Sequence, residues 1–179
     1  MIDLGIQFSV AVFLALFFAG SGFHKFTHRS DFKTALAGYN IVSGVPLKFI
    51  AFIMPIIEIL TAVLVLIPEL RVLGGGFAVI LFSFYGLMIV IALMRGQAGV
   101  DCGCSWGNSE RSTPLTAALV YRNIILSLIA GITLIEAQAR EIFWLDWITA
   151  VMTAVAAILI YQAFEAYNSV VEFQKEHSR

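Results

Sequence analysis

Two cysteines stand in the whole chain, Cys102 and Cys104, separated by a single glycine. A disulfide needs Cα atoms about 4.4 to 6.8 Å apart, which residues two positions apart reach only where the backbone bends, and Gly103 supplies that freedom. A bond closed under such a constraint is more easily reduced than a relaxed structural one, so it suits exchange. Cys102 and Cys104 are therefore expected to form a reversible disulfide with each other and to be the catalytic residues of a thiol–disulfide exchange. The alternative, two free thiols beside glycines in an ordinary loop, stays open. Asp101 is a candidate proton relay, although its charge raises the pKa of the neighbouring thiol and opposes thiolate formation. No metal is expected, because two cysteines fall short of the four ligands of a zinc site unless His24 or His28 folds across.

Two further groups attract attention because apolar sequence surrounds them. Glu58 and Arg122 each lie inside a long hydrophobic run, where an ionisable side chain is costly unless it is paired or faces a wet cavity. His24 and Lys25 close the first such run. Lys25 reads first as an anchor that extends toward the headgroups. Beside a thiol pair, however, a cation supports thiolate and a histidine shuttles protons.

All of these residues must be held by helices in lipid. The chain has 179 residues, 60% hydrophobic and 13% charged, with a mean hydropathy of +0.91. A hydrocarbon layer about 30 Å thick takes about 20 apolar residues per helix. Five runs meet that length: Leu4–Phe23, Leu47–Ile67, Val72–Met94, Pro114–Ile135 and Trp144–Tyr161. The first lacks a basic leader and is too long for a signal-peptide core, so it is read as a span. With a formal net charge of −1, nothing in the sequence points to nucleic acid as a partner. The expected fold is an all-α integral membrane protein, a single domain over residues 1–179 with five transmembrane helices. A short interfacial helix over 30–39 follows the first span, with Ser30 as its cap and Phe32, Leu36 and Tyr39 at helical spacing.

Consecutive spans alternate in direction, so the first connection, the third connection (95–113, carrying the cysteines) and the C-terminus share one face. On helix-rise arithmetic Glu58 lies about 16 Å and Arg122 about 12 Å below that face, so the two are expected to pair beneath the cysteine loop. Asn123 and Tyr85 are candidates to extend the polar patch.

Taken together, these segments make the chain resemble the MauE methylamine-utilisation family, within the wider DoxX-like membrane proteins. The resemblance rests on Gly22-Phe-His-Lys25, on Phe32, Leu36 and Tyr39, on Pro55-Ile-Ile-Glu58 and on Asp101-Cys-Gly-Cys104. The family pattern departs at Ser105-Trp106, where a phenylalanine or tyrosine is expected after the second cysteine. The resemblance implies a bacterial inner-membrane protein that matures the disulfide-rich small subunit of periplasmic methylamine dehydrogenase. It implies a periplasmic thioredoxin-like partner of the MauD kind. The layout is also similar to vitamin K epoxide reductase-like proteins, which makes a quinone the candidate acceptor by architecture alone. Two other roles fit the same layout: a non-enzymatic scaffold or transport factor for that subunit, and a subunit of a quinone-linked respiratory complex.

Charge and chemistry point to opposite orientations. The cysteine-bearing face carries Lys25, Arg29, Lys33, Lys48, Arg95, Arg111, Lys175 and Arg179, against Arg71 and Arg140 on the other. A positive-inside count places that face in the cytoplasm, whereas exchange with a periplasmic client requires the periplasm. The resemblance decides the expectation in favour of the periplasm.

Overall fold

The computed structural model describes residues 2–39, 44–96, 117–138 and 143–177. Six helices make up the described chain: α1 (Leu4–Thr27), α2 (Arg29–Gly38), α3 (Val45–Leu66), α4 (Arg71–Met94), α5 (Ala117–Gly131) and α6 (Trp144–His177). All but α2 are long and apolar enough to cross a membrane, with the α5 span completed by a 3₁₀ turn, Ile132–Leu134. Their outer faces carry large exposed apolar side chains such as Phe49, Ile80, Leu128 and Ile160. In water that surface would be a liability; against lipid tails it is the natural exterior. The chain is thus a multi-pass membrane protein built as a five-span helical bundle.

The described helices give their own boundaries. The start of the fourth span at Thr113-Pro114 lies outside the described residues. Span one runs on to Thr27, where His28 caps it and α2 begins at once. The last helix runs far beyond Tyr161, to His177, over 34 residues. Its polar end contains neither glycine nor proline, so nothing in it stops the helix.

Helix α1 lies at the centre and packs on α3 and α6, while α4 packs on α3 and α5. Ala11, Leu14 and Phe18 of α1 are fully buried, and Ala150 and Ala154 of α6 are equally enclosed. Two glycines set how closely α4 approaches its neighbours. A Cβ on Gly74 would fall 2.5 Å from the Val65 amide nitrogen of α3, and one on Gly75 would fall 1.8 Å from Thr133 Oγ1.

The end of the bundle at which α1 begins is tied together by polar groups. Ile2 pairs with the strand-like segment at Ala137 through two backbone hydrogen bonds. The Gln7 amide donates to the carbonyls of Thr133 and Ile135. Arg71, buried, donates to the Val65 carbonyl and to Gln7 Oε1. At the other end, α2 lies against α3 and α1 and buries Phe32, Ala35, Leu36 and Tyr39, as its apolar spacing dictates.

Candidate functional site

Glu58 is the most deeply enclosed ionisable side chain among the described residues, 1% exposed, and its partner is Lys25, 2% exposed. Three donors converge on the carboxylate. The Lys25 ammonium binds Oε1, the Tyr85 hydroxyl donates to the same oxygen at 2.6 Å, and Ser21 Oγ donates to Oε2 at 3.3 Å. Lys25 Nζ also donates to the Tyr85 hydroxyl at 3.0 Å. Its charge further rests against two rings, 4.4 Å from the centroid of Tyr85 and 5.1 Å from that of Phe32 on α2.

Local sequence explains this convergence. Ser21, Gly22 and Lys25 lie on one face of α1 by their spacing of three and four. Gly22 lets α1 close on α3: a Cβ there would meet Ile59 Cγ1 at 2.9 Å, the Pro55 carbonyl oxygen at 3.1 Å and Glu58 Cβ at 3.3 Å. Direction along the helix matters as much. Cα–Cβ bonds tilt toward a helix N-terminus, so Lys25, near the C-terminal end of α1, points down into the bundle. Glu58 tilts up toward it, because α3 runs the other way.

These contacts correct two expectations. Lys25 does not extend to the headgroups; it is turned inward. Glu58 does not pair with Arg122, because α4 stands between α3 and α5. Equal depth is not adjacency. Arg122 is buried elsewhere, with its guanidinium carbon 5.3 Å from the ring centroid of Tyr161 on α6. Asn123 donates to the Leu119 carbonyl one turn back, a packing hydrogen bond within α5. Tyr85 does extend the polar patch. Ser21 is a member that sequence reasoning missed, and its spacing from Lys25 on α1 is the signal that points to it.

His24 lies beside Lys25 on α1 and stacks on His28, with ring centroids 4.5 Å apart. Asp101, Cys102 and Cys104 lie outside the described residues. Among the described residues no cluster of three metal-ligating side chains occurs.

A small cavity adjoins the network between α2, α3 and α4, lined by Phe32, Leu36, Tyr39, Met54, Tyr85 and Met88. Its lining is almost wholly apolar and it has room for about one water molecule. A quinone ring does not fit it, and no step is assigned to one there. Chemically, the Lys25, Glu58 and Tyr85 arrangement can hold a proton on any of three oxygen or nitrogen atoms linked by direct hydrogen bonds.

Comparison with known proteins agrees with the pattern of these residues. Residues 4–136 match the sequence model of the family described as Methylamine utilisation protein MauE. The chain is 28% identical to the methylamine utilization protein MauE of Methylophilus methylotrophus, covering 98% of this chain and 96% of that one. It is 26% identical to that of Paracoccus versutus, covering 87% and 83%, and 25% identical to that of Paracoccus denitrificans, covering 70% and 66%. No solved structure is significantly similar to it. With the family match spanning both halves of the Lys25–Glu58 centre and the cysteine pair, the chain belongs to the MauE family of methylamine-utilisation proteins.

Proposed function

We propose that this chain is a membrane thiol–disulfide exchange protein that serves maturation of the methylamine dehydrogenase small subunit, with a periplasmic thioredoxin-like protein as its partner. The observation that carries the reading is the Cys102-Gly103-Cys104 motif, which holds the only cysteines of the chain. It falls in the sequence between α4 and α5. Family membership supports a place in methylamine utilisation.

In the exchange, one cysteine thiolate attacks a sulfur of the partner's disulfide, forms a mixed disulfide and expels the partner's other sulfur as thiolate. The second cysteine then displaces the partner, closing Cys102–Cys104. Two electrons pass to the partner, and two protons leave the cysteine pair as the partner's thiolates take up two. The reverse sequence delivers a reduced pair. Placing this loop in the periplasm of a bacterial inner membrane suits the chemistry, because disulfides persist in oxidising compartments.

Alkylation of intact cells with a membrane-impermeant maleimide tests the reading. Two thiols should label only after mild reduction, and the Cys102→Ser/Cys104→Ser variant should accumulate normally in the membrane while client maturation stops. Loss of loop thiols removes no helix packing, so abundance is the internal control. A double serine variant that matures the client at the normal rate would instead favour a scaffold or transport role.

A further inference from the structure

The geometry of His24 and His28 points to a second site: we infer that they form a two-imidazole site for a divalent transition-metal ion, with Cu(II) bound most tightly. The two residues are four apart across the end of α1, so their side chains share one side of the helix. Their rings are stacked at 20° with centroids 4.5 Å apart. Such stacking holds the two imidazoles side by side.

Hydrogen bonds favour one tautomer of His28. Its Nδ1 lies 3.2 Å from the His24 carbonyl oxygen, an obligate acceptor, and 2.9 Å from Thr27 Oγ1. Thr27 Oγ1 itself lies within donor distance of the carbonyls of Phe23 and His24, so its own proton is already placed. With its hydrogen on Nδ1, directed at the His24 carbonyl, His28 presents an Nε2 lone pair outward. A histidine held by its other nitrogen on a backbone carbonyl is the arrangement that orients metal ligands. The ring nitrogens of His24 make no hydrogen bond to any described residue.

Charges of both signs lie near the two rings. The two adjacent cations are turned away, Lys25 into the bundle on Glu58 and Arg29 over the rings of Phe26 and Phe52. Asp31 and Lys25 both lie within electrostatic range of His24, so the anion of Asp31 offsets only part of the neighbouring positive charge. Metal–nitrogen bonds of about 2.0 to 2.1 Å at a right angle need nitrogens about 3 Å apart, and because each lone pair lies in its ring plane the stacked rings must rotate out of parallel to share one ion. Imidazole ligands suit copper, nickel and zinc, and the divalent series places Cu(II) first. Water completes the coordination, since the described residues supply no third side chain. His28 both ends α1 and precedes α2, so an ion held there would stiffen the junction that seats Phe32 against Lys25.

The test uses the full chain in detergent, in a Cys102→Ser/Cys104→Ser/His177→Ala background that removes competing thiols and the third histidine. Calorimetric titration with CuCl2 should show one Cu(II) per chain, and its electron paramagnetic resonance spectrum should show hyperfine coupling to two imidazole nitrogens. His24→Ala or His28→Ala should each weaken uptake by about tenfold or more. His24→Gln and His28→Gln give the same reading if an alanine variant is not monodisperse. Absence of saturable uptake in the background protein, or uptake unchanged in both histidine variants, would overturn the site.

Discussion

Glu58→Ala and Lys25→Ala are each expected to deplete the folded protein severely, by about 3 to 5 kcal/mol of stability, because each strands a charge that the bundle has removed from solvent. The two side chains are almost fully enclosed and depend on each other. Removing Glu58 also takes the acceptor from Tyr85 and Ser21. The cost belongs to the broken pair rather than to the pair as such. Lys25→Met combined with Glu58→Gln should therefore restore most of the loss, since no charge is then buried and the glutamine oxygen still accepts from the two hydroxyls. Unfolding of the purified variants in mixed micelles reads the difference. Single-variant losses below about 1 kcal/mol would mean that the pair is hydrated like a surface ion pair, and the enclosed centre would have to be abandoned.

Gly74→Ala should be nearly as damaging, although it adds one methyl group. The new Cβ would lie 2.5 Å from the Val65 amide nitrogen and 2.8 Å from both Leu64 C and Val65 Cα, all backbone atoms. Backbone cannot rotate out of the way, so α4 must separate from α3 along its whole contact. Overpacking of this kind costs about 1 to 3 kcal/mol and sometimes more, and here it sits at the upper end. The neighbouring residue supplies the control. A Cβ on Gly76 meets nothing within 4 Å, so Gly76→Ala should be neutral or stabilising by up to about 1 kcal/mol through helix propensity. Thermal unfolding of the two variants side by side decides it. Equal midpoints would show that α3 and α4 are not packed at this distance.

The five spans were legible because lipid imposes a length and an apolarity that the sequence states openly, and the amphipathic α2 declared itself through Phe32, Leu36 and Tyr39. Both members of the buried ion pair were also visible, each by its type. What sequence concealed was the partnership. Depth arithmetic matched Glu58 to Arg122, but depth is one coordinate, and the order of helices around the bundle is another that hydropathy does not contain. The inward turn of Lys25 was within reach, since the tilt of Cβ toward a helix N-terminus follows from its position at the end of the span alone. By contrast the Gly74 and Gly75 contacts were unreadable, since a Gly-Gly-Gly run in a helix does not reveal which glycine meets backbone. The far end of α6 was missed for a simpler reason: a hydropathy window stops where polarity begins, whereas the helix stops only where its backbone is interrupted.

That overhang offers a direct way to settle which side of the membrane the cysteines occupy. At about 1.5 Å per residue the 34 residues of α6 measure about 51 Å, well over the roughly 30 Å of hydrocarbon. Its terminal turns therefore stand about 20 Å clear of the lipid, on the side reached by an odd number of crossings, the same parity as the connection between α4 and α5. A reporter domain joined after His177 would sit on a natural spacer, held clear of the lipid. Alkaline phosphatase matures only after export and green fluorescent protein fluoresces only when it folds inside, so the two fusions read the compartment of Cys102 and Cys104 while leaving both cysteines untouched.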